Sequence, residues 1–255
     1  MTLPLPDIGR EHFAPGGGDA FLFYAIYGRV APDRPLSPSA HRSNGVPDGV
    51  TISSYGPETP GNVPDELRIG YLWDQLCGND PDLAAKVAAQ DTCLILRGEI
   101  ADPPTLNYFR DAIGVLTYLL DGGGVAIYDP QMFCWWSPEA WRRGIVDSAT
   151  IKPERHVCIL TSVEPDGSEW FHTRGLRKFG RRDLSLHGVT SQYRDAVIDL
   201  FNRFIELLAK GGIIQEGQEI RMRSLPPGMT CLLRGHLDDP DFNNSHVEIL
   251  WPSVA

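Results

Sequence analysis

Hydrophobic positions between residues 93 and 128 follow two different periods in succession. Cys93 to Ile100 is a short apolar run of the kind found in buried β-strands. The next apolar residues recur at spacings of three and four, as on one face of a helix: Leu106, Phe109, Ile113, Leu116 and Leu120. Three glycines at 122–124 can end that helix, and Val125 to Tyr128 begins a second apolar strand. The pattern predicts a central β-α-β unit over residues 93–128, with parallel strands and a right-handed crossover.

The residues before this stripe predict where its helix starts. Asp102 offers a side-chain oxygen as N-cap. Pro103 and Pro104 follow where a first helical turn tolerates missing N–H groups. We therefore expect the helix to begin directly after Asp102.

A second helical period lies in the last third of the chain. From Thr190 to Lys210 apolar residues recur every three or four positions, until Gly211-Gly212 ends the pattern. The runs 156–163 and 168–173 flank a Pro- and Gly-containing turn at 164–167 and predict a β-hairpin. Other short apolar or alternating runs predict further strands: 20–27, 184–187, 219–222, 230–234 and 247–251.

The order of these elements favours the α+β class. Early strands, one crossover, a hairpin and late strands fit a mixed β-sheet better than a purely parallel one. We expect the central β-α-β unit (93–128) to form part of this sheet. The second long helix (190–210) is expected to pack on it.

Residues 32–64 depart from this regular pattern. Seven prolines fall there among Ser, Gly and Asn, with hardly any apolar periodicity. The segment is predicted to be a long loop, acting as a lid or recognition arm or standing as a surface insertion. We accordingly describe residues 1–65 as an N-terminal strand plus this arm and residues 66–255 as a single α+β domain, the whole chain forming one globular unit. Glu66 to Trp73 is predicted as a strand or the start of a helix.

Composition and charge exclude several classes of protein. The chain has 255 residues, of which 42% are apolar and 22% charged, and it contains no apolar run of the roughly 20 residues that cross a bilayer. Its first residues lack the pattern of a secretory signal, so we expect a cytoplasmic protein. A net charge of −10 argues against nucleic acid as a partner. Five cysteines without a C-x-x-C pair indicate reduced thiols, and we expect no structural metal and no cofactor.

The most unusual short string runs from Asp129 to Trp136. It follows the end of a predicted strand, where open sheets place ligand crevices. Asp129 could act as a general base or metal ligand, Cys134 as a nucleophile, and Trp135 and Trp136 as a stacking wall. The alternative is a chain turn whose aromatic residues cover one end of the core and whose cysteine is inert.

A basic cluster follows between residues 172 and 187. Five of the 23 basic residues fall within nine positions, next to His172: Arg174, Arg177, Lys178, Arg181 and Arg182. Such a loop could bind a carboxylate or phosphate through bidentate arginines, with the histidine as a titratable neighbour. The alternative is a solvated turn paired with surface acids. Compared with the Asp129–Trp136 string, this cluster is the preferred contact surface, since a local cation group attracts anions that the remaining acidic surface repels.

A third group of polar residues lies near the end of the chain. His236, Asp238, Asp241 and His246 could converge on a divalent ion, although the spacing matches no EF-hand. A polar hairpin loop is the favoured interpretation.

One resemblance rests on the string W-F-H-T-R-G-L-R-K-F-G-R-R-D-L-S-L at 170–186, together with the preceding helix and G-G-V-A-I-Y-D-P. It resembles an uncharacterised bacterial family called domain of unknown function 4261. The likeness spans roughly Leu94 to Leu250 and does not cover the segment before residue 65. Its clearest positions are Thr173, Gly175, Phe179, Gly180 and Asp183. The resemblance implies the fold class and a bacterial cytoplasmic setting, and it implies no activity.

These observations favour a non-enzymatic binding protein of the immunity or regulatory kind. G-x-x-x-x-G-K-[ST], G-x-G-x-x-G, G-x-S-x-G and H-E-x-x-H are all absent from the sequence. Another protein is the expected partner, with a toxin as one candidate by analogy with small acidic immunity proteins, and self-association stays open. The alternatives are a small hydrolase or transferase that uses Asp129 and Cys134, and a structural or assembly subunit. The enzyme hypothesis requires one of these two residues to share a concave pocket with a His or Arg.

Overall fold

Residues 5–31, 33, 35–147 and 150–252 are described by the structure, a computed structural model. The chain divides into two compact units. Unit 1 contains Phe21–Ile100 and Thr105–Lys152 together with the first eight residues, and unit 2 contains Gly9–Ala20, Ala101–Pro104 and Pro153–Ala255. No division falls at residue 65, because residues 21–100 are continuous within unit 1. Among the described residues, every helix is too short or too polar to cross a membrane.

Unit 1 is built on a five-stranded sheet. Its strands are β1 (Ala20–Tyr27), β2 (Val50–Tyr55), β3 (Cys93–Ile100), β4 (Ala126–Asp129) and β5 (Cys134–Trp136). Its α-helices are α1 (Pro38–His41), α2 (Val63–Glu66), α3 (Tyr71–Asn79), α4 (Pro81–Ala88), α5 (Asn107–Asp121) and α6 (Pro138–Trp141), the last continuing as a π-helical turn over Arg142–Val146. The strand order is β2-β3-β1-β4-β5.

The central β-α-β unit is present, with an added strand that the local pattern did not show. Strands β3 and β4 lie in one sheet and are joined by α5, whose predicted core residues Phe109 and Leu116 are fully buried. Strand β1 lies between them and pairs antiparallel with β4. An almost wholly apolar strand such as β1 suits a central position, where both faces of the sheet are covered.

The predicted start of α5 is wrong. The helix begins at Asn107, after Leu106 in the N-cap position. Asp102 instead accepts hydrogen bonds from the backbone N–H groups of Gly16 and Gly17, at 2.6 and 3.2 Å, and pairs with Arg181. A carboxylate gains more from a buried guanidinium and two N–H groups than from one capping bond, and the sequence does not show that these partners are near.

The segment 32–64 is more regular than predicted. It contains α1, β2 and the start of α2, and β2 pairs with β3 along its whole length, from Val50 opposite Gly98 to Tyr55 opposite Cys93. A Cβ atom on Gly98 would lie 2.1 Å from the carbonyl oxygen of Gly49, so the glycine permits this close pairing. Strand β2 is largely exposed and lacks an apolar alternation, which is why the sequence pattern missed it. In the following stretch the helical alternative is confirmed, because α3 begins at Tyr71.

Unit 2 is built on a six-stranded mixed sheet. Its strands are β6 (Cys158–Val163), β7 (Glu169–Arg174), β8 (Asp183–Val189), β9 (Glu219–Ile220), β10 (Met229–Arg234) and β11 (His246–Leu250), in the order β6-β7-β8-β11-β10-β9. Strands β8 and β11 are parallel, and the predicted hairpin of β6 and β7 is confirmed. The second long helix, α7 (Arg194–Ala209), follows a 3-10 turn at Ser191–Tyr193. It packs on the sheet, where Phe201 meets Phe171 edge-on at 6.3 Å between ring centroids.

Two buried arginines hold the C-terminal end of α7. Arg10 donates to the carbonyl oxygens of Leu208 and Ala209, both at 3.1 Å. Arg181 donates to those of Gly211 and Gly212, at 2.9 and 3.0 Å. The last carbonyls of a helix have no partner within it, so these side chains satisfy acceptors that burial would otherwise leave unpaired.

Asp102 balances the charge of Arg181. The carboxylate lies 2.8 Å from the Arg181 guanidinium. Burial alone would raise the pKa of Asp102, but Arg181 and the N–H groups of Gly16 and Gly17 outweigh burial and lower the pKa below its ordinary value. The Asp102 carboxylate therefore stays charged at neutral pH.

We expect Arg181→Ala to lower the free energy of unfolding by about 3–5 kcal/mol, because it leaves Asp102 without its cation and several buried carbonyls without a donor. Denaturant titration would measure the loss. Arg223→Ala is the matched control, since Arg223 is exposed, and it should change the value by less than about 0.5 kcal/mol. Equal unfolding midpoints for the Arg181 variant and the wild type would contradict the structural role.

Candidate functional site

The Asp129–Trp136 string forms the tight turn between β4 and β5. Asp129 and Cys134 stand opposite each other in the strand register. Asp129 is only 1% exposed, and its Oδ1 accepts the N–H of Gln131 at 3.1 Å. Burial closes this carboxylate to a substrate in the observed conformation, so the enzyme hypothesis gains no support from it and stays a prediction.

The two tryptophans of this string belong to aromatic clusters of unit 1. Trp135 stacks on Tyr128 with 4.3 Å between ring centroids and meets Trp73 edge-on at 5.8 Å. Trp136 meets the buried Trp141 edge-on at 6.0 Å. The geometry matches the alternative in which these rings cover the core.

The basic cluster of residues 174–182 is largely inside unit 2. Arg174, Lys178 and Arg181 are buried, and only Arg177 and Arg182 are partly exposed. The contact-surface prediction required the five cations to form one exposed patch, and they do not.

The buried cations bind the chain itself. Lys178 Nζ donates to the carbonyl oxygen of His156 at 3.0 Å, and Arg174 donates to that of Asp241. Arg177, which is partly exposed, donates to the carbonyl oxygen of Asn243 at 2.8 Å. Long cationic side chains supply several donors to irregular backbone that lacks partners of its own, and the sequence cannot distinguish this use from anion binding.

Asp183 organises the same region from within. Its carboxylate accepts hydrogen bonds from Thr173 Oγ1, the N–H of Leu176 and Asn244 Nδ2, at 2.9, 3.3 and 2.7 Å. Burial raises the pKa of Asp183 to about 6, although these bonds and the nearby Arg174 favour the charged form. Thr173 and Asp183, two of the positions that carry the family resemblance, are thus joined directly.

The face of the sheet that carries His172 holds a row of polar side chains which the sequence analysis did not combine. His172, Ser185 and Glu248 are direct neighbours across β7, β8 and β11. Trp170 Nε1 donates to Ser185 Oγ at 3.0 Å. The signal for this face was an alternation of polar and apolar residues in three strands: W-x-H-x-R, S-x-H and H-x-E.

Aromatic stacking orders the rings on this face. The Trp170 ring lies between His172 and His187, with centroid distances of 4.1 and 4.8 Å. Phe242 stacks on His246 at 4.2 Å and meets His172 edge-on. The three histidines thus belong to one packed aromatic group.

The protonation of this group follows from its burial. Burial and the charge of Arg174 lower the pKa of His172 to about 4, and its Nδ1 atom has no hydrogen-bond partner among the described residues. Burial raises the pKa of Glu248. At neutral pH His172 is therefore an uncharged ring that could donate or accept one hydrogen bond. The Glu248 carboxyl group, on the far side of Ser185 in the same row, is costly to ionise.

The alternative metal site is not assembled in the described part of the chain. No group of three or more His, Cys, Asp or Glu side chains there is arranged to hold an ion. His246 lies 3.9 Å from Asp239, which was not among the four predicted ligands.

A surface of unit 1 was missed entirely by the sequence analysis. Ile69 and Tyr71, just before and at the start of α3, are 71% and 67% exposed. The surrounding residues 56–91 contain seven acidic and two basic side chains. The acids are Glu58, Asp65, Glu66, Asp74, Asp80, Asp82 and Asp91. We call this the acidic surface.

One of its two cations is withdrawn from solvent. Arg68 donates to the carbonyl oxygens of Val87, Ala88 and Gln90 at the end of α4, at 2.9 to 3.1 Å, and pairs with Asp65. Its side chain is 12% exposed. The contacts fix the turn that carries Ile69 and leave the surface more acidic than its sequence suggests.

The residues on either side of this turn are packed inward. Leu67, Leu72 and Trp73 lie against the apolar cluster that contains Leu76 and Val87. Because the neighbours are anchored, the exposure of Ile69 and Tyr71 is a property of an ordered turn. Aromatic and large aliphatic side chains held outward in this way are suited to contact another molecule.

No family model, curated protein or solved structure gives a significant match to this chain. The resemblance to domain of unknown function 4261 therefore stays a prediction that rests on its motif.

The pKa of His172 predicts a pH-dependent stability. Between pH 6.5 and 4 the unfolded histidine binds a proton that the folded one does not, so stability is lost as pH falls through this window. Asp183, whose pKa is raised, acts with the opposite sign between about pH 6 and 4 and partly offsets this loss.

We expect His172→Phe, which keeps a ring against Trp170, to lose about 2–3 kcal/mol less stability than the wild type between pH 7 and 4.5. Denaturant unfolding at the two pH values would measure this difference. Val163→Ser changes an exposed side chain of unit 2 that carries no titratable group, and it should leave the wild-type pH dependence in place. Parallel pH profiles for the wild type and the His172 variant would show that this histidine does not titrate as described.

Proposed function

We propose that this chain is a non-enzymatic binding protein that recognises a basic protein through the acidic surface around Ile69 and Tyr71. The observation that carries the proposal is the pair of exposed large apolar side chains on one fixed turn. Single exposed apolar residues are ordinary on protein surfaces, whereas two neighbours with anchored flanks present a small ready-made contact. Tyrosine is also among the residues that contribute most to protein interfaces.

The charge around this pair supports a cationic partner. Glu66 and Asp74 are exposed beside Ile69 and Tyr71, and Arg68 is turned inward. Acidic rims accelerate the approach of basic surfaces, while the apolar centre supplies affinity once water is removed. A second copy of the same surface would meet it with like charge, so a different protein is favoured over self-association through this region.

The immunity or regulatory role belongs to this proposal. An acidic protein with a rigid apolar contact could cover the basic surface of a toxin or of another regulated protein. The buried cations of unit 2 move the proposed contact away from residues 174–182, since Arg174, Lys178 and Arg181 are committed to internal carbonyls.

The proposal predicts that Ile69→Ser with Tyr71→Ser weakens the binding of a basic protein partner by about 100-fold or more, because interface anchors commonly contribute at least 2 kcal/mol each. Affinity capture from native cells followed by mass spectrometry would identify the partner. The dissociation constant would then be measured with both purified proteins. Folding stability should be nearly unchanged, since both side chains are exposed.

The matched controls separate specific binding at the acidic surface from nonspecific hydrophobic association. Val163→Ser removes an apolar side chain that is 77% exposed in unit 2 and should leave the affinity unchanged. Glu66→Gln with Asp74→Asn should slow association and flatten its salt dependence. Unchanged affinity of the Ile69/Tyr71 variant for every captured protein would reject this surface as the binding site.

A further inference from the structure

Unit 2 contains a pocket of about 270 Å³ beside the C-terminal end of α7. Five aliphatic side chains form part of its wall: Leu208, Ile213, Ile214, Leu233 and Val247. Two cationic residues, Arg181 and Arg182, also line it. An apolar cavity with one or two placed polar groups is the usual form of a small-molecule site.

The two arginines differ in what they can offer a ligand. Arg181 is buried, is paired with Asp102 and already donates to several carbonyl oxygens. Arg182 is partly exposed, and among the described residues it makes no hydrogen bond or ion pair. The nearby Glu216 carboxylate accepts the N–H of Leu233 at 2.6 Å. Arg182 is thus the cation of this pocket whose donors are open to a ligand.

We propose that the pocket binds a short aliphatic monocarboxylate, with its carboxylate on the Arg182 guanidinium and its hydrocarbon chain against the aliphatic wall. A guanidinium and a carboxylate form paired, charge-assisted hydrogen bonds. The aliphatic lining provides the favourable burial of the chain.

The pocket also limits the size and charge of the ligand. Water occupies about 30 Å³ per molecule in the liquid, so this volume holds roughly nine heavy atoms. Hexanoate fits that limit. Phosphate is a poorer match, because the N–H groups of Gly16 and Gly17, which line the pocket and could hold an anion, are donated to Asp102.

The test is calorimetric titration of the full chain with hexanoate, hexan-1-ol and acetate. Hexanoate should bind saturably. Hexan-1-ol, which lacks the carboxylate, and acetate, which lacks the hydrocarbon chain, should each bind at least about tenfold more weakly. Arg182→Gln should weaken hexanoate binding by about tenfold or more, the range of a charge-assisted hydrogen bond, and leave hexan-1-ol unaffected. Arg223→Gln, which removes an exposed arginine outside the pocket, should change neither.

A filling variant provides an independent check. Ile213→Trp should abolish hexanoate binding while the melting temperature stays near that of the wild type, because Ile213 is only partly buried. Absence of saturable hexanoate binding to the wild type overturns the proposal, as does equal affinity in the Arg182 variant or equal loss in the Arg223 variant. The Ile69/Tyr71 variant should bind hexanoate normally, so the two proposals can fail separately.

Discussion

Burial of the C-terminal end of α7 is the constraint on which unit 2 depends. A helix end has carbonyl groups without internal partners, and burying them requires donors from elsewhere in the chain. Arg10 and Arg181 supply these donors to the last helical residues and to the two glycines that follow, and Asp102 neutralises one of the two charges. The segments around Arg10, Asp102 and Arg181 are held together at the end of α7 in this way. The loss of any one donor would leave several buried acceptors unpaired.

The same principle explains the dense cationic string in an acidic protein. Residues 174–182 run through turns whose backbone cannot pair within a sheet, and Arg174 and Lys178 extend to distant carbonyl oxygens. Asp183 accepts hydrogen bonds from inside the same turns. A residue such as Asp183, which supports the family resemblance, can therefore be required for hydrogen bonds to buried backbone groups without contacting a partner.

The two proposed contact sites differ in which side chains are exposed and which are internal. On the acidic surface of unit 1 the cation Arg68 is internal, and apolar side chains face solvent. In the pocket of unit 2 aliphatic side chains form part of the wall, and Arg182 makes no hydrogen bond or ion pair among the described residues. In both places the proposal rests on side chains that remain accessible to solvent: Ile69 and Tyr71 on the acidic surface, and Arg182 at the pocket.

The sequence by itself determined the elements with strong periods: the core stripe of α5, the helix α7, the β6–β7 hairpin and the α+β class. These depend on neighbouring residues, so local spacing is sufficient to predict them. Only the tertiary structure decided that β1 lies between β3 and β4, that Asp102 binds Arg181 instead of capping α5, and that the basic cluster is buried. It alone also revealed the outward pair Ile69 and Tyr71. The physical reason is that burial and hydrogen-bond partners depend on residues far apart in the chain, and a charged or apolar side chain carries no local sign of which surroundings it will meet.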